Sequence, residues 1–402
     1  MLTIQLNMYH ALALGAAMYW LGTVLTGKIT ILNRFCIPSP LVGGLCFALL
    51  NAALYASGTA VITFDDTLQT VFMILFFATV GFSVSIPLLA RGGRAVLLLL
   101  GLGIVMIFLQ NGLGGGIMAL CGKSPLYGIG CGSVALIGGP GTAAAIGPDL
   151  EAAGAVGGTA VSIAAATFGL VSGSLMGGPI ARSLILRGEL KPKAAEPAET
   201  GAPSESAEED GTFTATDSSF IKGFLLLLLF AVGVGSCVSA LLTKLCGFNF
   251  PPYIGAMLVA VAVRNTVDGL RIDFPAAEID TMGNMFLSIF LAMALSGLKL
   301  WLLVDLALPM LLCLAAQVLL MWAFSVFVVF RVMGRDYDAA VMTAGYIGFA
   351  MGATSNAMAN MQVITKKYGP SPTAYFAIPM VGSLFIDFFN AALIALNIGW
   401  WA

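Results

Sequence analysis

The chain is short of charge. Only 9% of its 402 residues are Asp, Glu, Lys or Arg, while 59% are hydrophobic. A water-soluble chain carries roughly a quarter of its residues charged, so a soluble fold is excluded and a multi-pass membrane protein is implied. Histidine is almost missing: His10 stands alone, which rules out histidine-based zinc sites and a Ser-His-Asp triad. There is no HExxH and no pair of aspartates inside an apolar run, so a membrane enzyme has little to work with. The seven cysteines show no CxxC spacing and read as small apolar packing residues. A net charge of −2 without a basic patch offers nothing to nucleic acid. No basic stretch precedes an apolar core at the N-terminus, so a cleaved signal peptide is not expected.

What is abundant is glycine, 48 residues, set in long apolar runs. Such a composition suits helices that pack closely in lipid. Runs long enough to span a bilayer fall near 8–27, 40–57, 67–90, 95–121, 155–180, 220–243, 249–263, 282–298, 301–330 and 373–397. Two stretches, 125–148 and 337–362, are left over. The first contains Gly132-Ser-Val-Ala-Leu-Ile-Gly-Gly-Pro-Gly-Thr-Ala143, and the second Gly345-Tyr-Ile-Gly-Phe-Ala-Met-Gly-Ala-Thr-Ser-Asn-Ala357. Their glycines, and Pro140 in the first, make a continuous helix costly.

Charge placement decides how these stretches run. If ten segments span, the N-terminus is outside and both stretches fold back to their own side, fifteen of the eighteen basic residues lie in the cytoplasm and only Lys123, Lys244 and Lys299 outside. A full crossing by either stretch inverts everything after it and destroys the bias. The first stretch, between Lys123 and the acids Asp149 and Glu151, therefore enters from outside. The second, between Arg335 and Lys366/Lys367, enters from the cytoplasm. Two alike elements of opposite orientation mark an inverted repeat. Short likenesses agree: Ile74-Leu-Phe-Phe-Ala-Thr-Val-Gly with Ile289-Phe-Leu-Ala-Met-Ala-Leu-Ser-Gly, and Gln110 with Gln317. The expected fold is an all-α polytopic membrane protein of two inverted-topology repeats, each of five transmembrane helices plus one re-entrant hairpin. The repeats occupy 1–187 and 220–402. Between them 188–219, rich in Ala, Glu, Pro, Ser and Thr, reads as a disordered cytoplasmic linker, and both termini are placed outside.

At a hairpin tip, helix starts leave N–H groups that attract carboxylates, and unwound carbonyls can take a cation. Gly138, Gly139, Gly141 and Thr142 supply this equipment once, and Gly348, Gly352 and Thr354 supply it again. The plainer alternative is that these glycines only permit tight packing. Asp387 lies mid-run in Gly382-Ser-Leu-Phe-Ile-Asp-Phe-Phe-Asn-Ala, with Asn390 one turn along the same face. An intramembrane carboxylate is expensive and should face a cavity, a partner or an ion. These two are candidates for sodium or a substrate ammonium group. Gln110, Asn111, Asn284, Ser288, Asn356 and Asn360 are buried-amide or hydroxyl candidates, either interhelical glue or site. Asn356, beside the tip, leans to site. Asn111 joins the substrate set, and Gln110 and Asn360 the sodium set. Thr167 is expected to bond back to its own helix.

These residues bring a resemblance with them. Gly138-Gly-Pro-Gly-Thr, Ala166-Thr-Phe-Gly-Leu-Val, Leu287-Ser-Ile-Phe-Leu-Ala-Met-Ala-Leu, Tyr337-Asp-Ala-Ala-Val, Gly352-Ala-Thr, Ala359-Asn-Met-Gln and Phe385-Ile-Asp-Phe-Phe-Asn-Ala resemble the bacterial sodium/glutamate symporter family over nearly the whole chain. The resemblance implies a homodimeric inner-membrane carrier, set among membrane lipid, that takes up glutamate with sodium and needs no other cofactor. It maps the family's hairpin glycines onto Gly138, Gly139, Gly141, Gly348 and Gly352. Two places depart: Pro140 stands where the family's first tip has His, and Ala350, Ser355 and Asn356 alter the second tip. They bear on the substrate more than on the architecture. Another small carboxylate, proton coupling through Asp387, and an ion channel with re-entrant loops are the alternatives.

Overall fold

A computed structural model describes residues 2–35, 37–192, 218–246, 250–272 and 274–401. Most of the linker expected at 188–219 lies outside the described residues. In chain order the first half has β1 (Leu2–Leu6), α1 (Met8–Lys28), α2 (Thr30–Arg34), α3 (Ser39–Ala56), β2 (Ala60–Phe64), α4 (Thr67–Ser83), α5 (Ile86–Arg91), α6 (Gly93–Leu120), α7 (Pro125–Gly130), α8 (Ser133–Leu136), α9 (Gly139–Ala152) and α10 (Gly158–Gly188). The second half has α11 (Ser218–Cys246), α12 (Pro252–Gly269), α13 (Ala276–Ser296), a 3₁₀ turn (Leu300–Leu306), α14 (Ala307–Phe324), a π segment (Ser325–Val329) and α15 (Phe330–Val332). It ends with α16 (Tyr337–Ala350), α17 (Thr354–Tyr368), α18 (Pro372–Pro379), a second π segment (Met380–Phe385) and α19 (Ile386–Trp401).

Eight helical stretches among the described residues are long and apolar enough to cross a bilayer. The run expected at 67–90 falls short, because α4 stops at Ser83 and Ser85 starts a new helix by accepting from the Leu88 N–H. The run expected at 249–263 becomes α12, whose last two turns carry Arg264, Asn265 and Asp268. The all-helical expectation has one exception: β1 and β2 pair in parallel, Leu2 opposite Ala60 through Leu6 opposite Phe64.

The helices sort into two bodies. α1, α3 and α4 pack with α11, α12 and α13, while α6 to α10 pack with α14 and α16 to α19. In the first body the closest crossings are glycine on glycine. A Cβ on Gly43 of α3 would strike the Met18 carbonyl beside Gly22 of α1, and one on Gly255 of α12 would strike the Gly235 carbonyl of α11. Neither crossing tolerates a side chain, so backbone-to-backbone dispersion holds these helices where no hydrophobic drive operates. Within the described residues the chain passes between the bodies through α5 and through the 3₁₀ turn. The α5 joint is tied to α12: Asn265 donates to the Val84 carbonyl at 3.0 Å and accepts from the Ile86 N–H at 2.8 Å, while Ser85 Oγ donates to Asp268 at 2.6 Å.

Candidate functional site

Both leftover stretches are broken helix pairs, and their breaks meet. In the first, α8 ends at Leu136 and α9 begins at Gly139. In the second, α16 ends at Ala350 and α17 begins at Thr354. Gly139 has φ +65°, and a Cβ there would lie 2.9 Å from the Gly352 carbonyl oxygen, so the two tips touch through backbone. Only glycine adopts that φ without strain. Neither the start of α9, at Gly138, nor that of α17, at Ala353, has a side-chain cap. Two positive helix ends, lacking capping side chains, thus sit side by side.

They face a cavity of about 550 Å³. One wall comes from the second body: Gly138 to Thr142, Gly352 to Ser355, and Gly382, Ser383 and Asp387. The other comes from the first body: Thr79, Val80 and Ser83 of α4, and Asp280, Gly283, Asn284, Leu287, Ser288 and Leu291 of α13. Asp280, Asn284, Ser355 and Ser383 stay exposed along it. Thr354 Oγ1 donates to the Gly382 carbonyl at 2.9 Å. That carbonyl lies in the second π segment, where the wider turn disturbs the usual α pairing. Asp387, one turn on, has no hydrogen-bonding or ion-pair partner among the described residues. Among the described residues no Lys or Arg lines the cavity, and the charged groups on its wall are the carboxylates Asp280 and Asp387.

Of the residues proposed from sequence, Gly138, Gly139, Gly141, Thr142, Asn284, Ser288, Gly352, Thr354 and Asp387 come together on this cavity. Six do not. Gly348 lies in the α16–α17 contact, where a Cβ would strike the Ala357 backbone. Asn356 donates to the Leu170 carbonyl at 2.9 Å and lies behind the tip. Asn360 donates to the carbonyls of Gly173 at 3.0 Å and Ala344 at 3.3 Å. Gln110 donates to the Ala350 carbonyl at 3.0 Å, and Gln317 donates to the Gln110 carbonyl at 2.7 Å. Asn111 accepts from the Ser133 N–H at 2.9 Å, and Asn390 donates to the Ser133 carbonyl at 3.1 Å. Gln110 and Asn111 thus serve backbone groups at the breaks, the Ala350 carbonyl that ends α16 and the Ser133 N–H that starts α8, which cannot be left bare in lipid, while Asn356, Asn360 and Gln317 tie to carbonyls inside neighbouring helices. Thr167 bonds back to the Ile163 carbonyl at 3.0 Å.

Asp280 was missed. Its place in the first turns of a helix, beside Glu278, reads as a cytoplasmic end. The spacing Asp280, Asn284, Ser288, four apart, was the available signal, since it draws one polar face down α13.

The family model for the sodium/glutamate symporter matches residues 4–370. The sodium/glutamate symporter of Escherichia coli is 40% identical over 379 residues, covering 94% of this chain and 93% of that protein. The chain belongs to the sodium/glutamate symporter family. The Haemophilus influenzae sodium/glutamate symporter is 38% identical over 97% of this chain and 96% of its own, a coverage that reaches past Asp387. The Shigella flexneri symporter matches at 40% over 94% and 93%. Among solved structures, a sodium proton antiporter from Methanocaldococcus jannaschii aligns over 97% of both chains with 15% identity and a TM-score of 0.42. As a member of the symporter family the chain is a multi-pass transporter, and its cavity between two bodies is where a transported solute has room to sit.

Proposed function

We propose that this chain imports glutamate, or a related acidic amino acid, together with sodium by alternating access. The observation that carries the reading is the charge pattern of the cavity. Two helix N-termini offer N–H groups at adjacent tips, fitted to the two carboxylates of an acidic amino acid. Asp387, with no ion-pair partner among the described residues, opposes the same anion until a cation joins it, and Asp280, whose charge Arg264 offsets in part, adds to that opposition. A site of this kind binds anion and cation together, which is symport. Asp387, with the Ser383 and Ser355 hydroxyls nearby on the wall, is assigned to sodium or to the substrate ammonium group. Gly138, Gly139, Gly141, Thr142, Gly352 and Thr354 hold the anion. Gly348, Gln110, Asn111, Asn356, Asn360 and Asn390 keep the tips in place.

The two repeats follow the same order, and matched features keep nearly one offset: Gly22 with Gly235, Gly43 with Gly255, Gln110 with Gln317. In the inverted arrangement, 125–148 re-enters from outside and 337–362 from the cytoplasm, and the domains are 1–187 and 220–402. With both termini outside the inner membrane, Asp280 and Ser83 lie toward the cytoplasm, so the cavity opens inward. The body bearing the tips moves against α4 and α13, with α5 and the 3₁₀ turn as joints. The carrier is a homodimer, as the family resemblance implies.

Pro140 supports a second reading, another small carboxylate. It lines the cavity and, unlike histidine, offers no hydrogen-bond donor to a substrate. Uptake of labelled glutamate into proteoliposomes under an inward sodium gradient decides between them. Accumulation driven by sodium and abolished in Asp387→Asn is expected. Uptake indifferent to sodium, or driven equally by protons, refutes the coupling. Saturating binding of a different carboxylate with none of any acidic amino acid refutes the substrate.

A further inference from the structure

Away from the transport cavity, a groove of about 530 Å³ runs between the C-terminal ends of α10 and α17. Gly178, Leu186 and Val363 give it an apolar lining, and Arg182, Lys367 and Tyr368 stand along it. Leu186 is 57% exposed and Val363 64%, so protein does not cover them. Neither Arg182 nor Lys367 has an acidic partner among the described residues. Lys367 Nζ instead lies 5.6 Å from the Tyr368 ring centre.

Depth in the bilayer follows from helix geometry. Two hairpins that re-enter from opposite faces, as proposed above, bring their tips together near the midplane, and α17 begins there at Thr354. At about 1.5 Å per residue Lys367 lies about 20 Å from that plane, beyond the ~15 Å half-thickness of the hydrocarbon. Val363 lies at about 14 Å by the same measure, inside it. The groove therefore has an apolar half at acyl-chain depth and two cations at headgroup depth.

We propose that this groove binds an anionic phospholipid, its phosphate between Arg182 and Lys367 and an acyl chain along Val363 over Gly178. Charge complementarity selects the occupant, since an unpaired Arg and Lys at headgroup level favour an anionic lipid over a zwitterionic one. The sidedness proposed above serves only to name the leaflet, which is the cytoplasmic one. Both helices belong to the body that carries the tips, so the lipid is expected to travel with that body.

The test is native mass spectrometry of the full chain released from detergent, offered phosphatidylglycerol and phosphatidylcholine of matched chains. Thermal stability is measured in parallel. Wild type is expected to retain phosphatidylglycerol selectively. Each basic residue is worth about fivefold, so Arg182→Gln with Lys367→Gln should cut that preference about 25-fold. Gly178→Leu, which fills the groove without touching either charge, should reduce both lipids together. An added Cβ at Gly178 reaches only Val363 Cγ1, at 3.8 Å, so this variant is expected to fold. Unchanged selectivity in the double variant overturns the proposal. So does an equal stabilisation by inorganic phosphate alone, which makes the groove a free-anion site. Pro192 leaves beside Gly369, at the same end. Phosphatidylglycerol binding that arises only after Glu205, Glu208, Glu209 and Asp210 are neutralised would give the groove to the chain's own acidic segment, and also overturns it.

Discussion

Asp387→Asn is the most informative substitution, because the change removes one negative charge and almost no volume. In the cavity, Asp387 and the substrate anion share a wall that no Lys or Arg among the described residues lines. At a separation of about 5 Å and an effective dielectric of about 20, their repulsion is about 3 kcal/mol. A sodium ion at Asp387 cancels that term, so saturating sodium should tighten substrate binding by about 100-fold or more. Linkage requires the substrate to tighten sodium binding by the same factor. The assay is calorimetric titration of glutamate into purified protein at low and high sodium, with choline keeping ionic strength constant. Wild type should show the full sodium effect, and Asp387→Asn should bind glutamate with an affinity nearly independent of sodium. Gradient-driven uptake by the variant should be lost. A variant that keeps the sodium dependence of wild type would place the coupling ion elsewhere and refute the reasoning. A variant that binds nothing at any sodium concentration would make Asp387 a substrate ligand instead.

Gly139→Ala forces an alanine to φ +65° against the Gly352 carbonyl; a loss of about 1–3 kcal/mol in stability and a marked fall in glutamate affinity are expected. Gly101→Ala, with nothing within 4 Å, is the control and should leave both unchanged. Gln317→Leu removes the 2.7 Å bond to the Gln110 carbonyl, which keeps its place inside α6, and should lower stability by about 0.5–1.5 kcal/mol, read by thermal unfolding in detergent. Cysteines placed at Thr142 and Thr354 should be labelled by membrane-impermeant reagents from opposite sides in the two transport states. Labelling of both from one side in every state contradicts alternating access through the cavity they share.

The breaks at Gly138–Thr142 and Gly352–Thr354 were legible because glycine and proline in an apolar run have few uses besides ending a helix. Asp387 was legible because an isolated carboxylate in lipid must have company. The amides were not separable by type: Asn356 and Asp387 are both polar residues in apolar surroundings, and only three-dimensional packing shows that Asn356 turns to Leu170 while Asp387 turns to the cavity. The strand pair was hidden for a different reason. Leu2–Leu6 and Ala60–Phe64 are five residues each and separated by three helices, so neither carries a periodicity that stands out against apolar neighbours. The π segment at Met380–Phe385 has no sequence signal of its own beyond Pro379 and Gly382.

The cavity belongs to neither half of the chain. Its first tip and α4 come from residues before 188, and its second tip, α13 and Asp387 from residues after 218. A gene divided within 193–217 would yield two fragments, each holding one tip and part of both walls. Ligand binding would return only when the fragments found each other in the same membrane. The chain is thus a ready complementation reporter: glutamate capture by the co-expressed fragments would score their assembly, with no fluorescent partner attached.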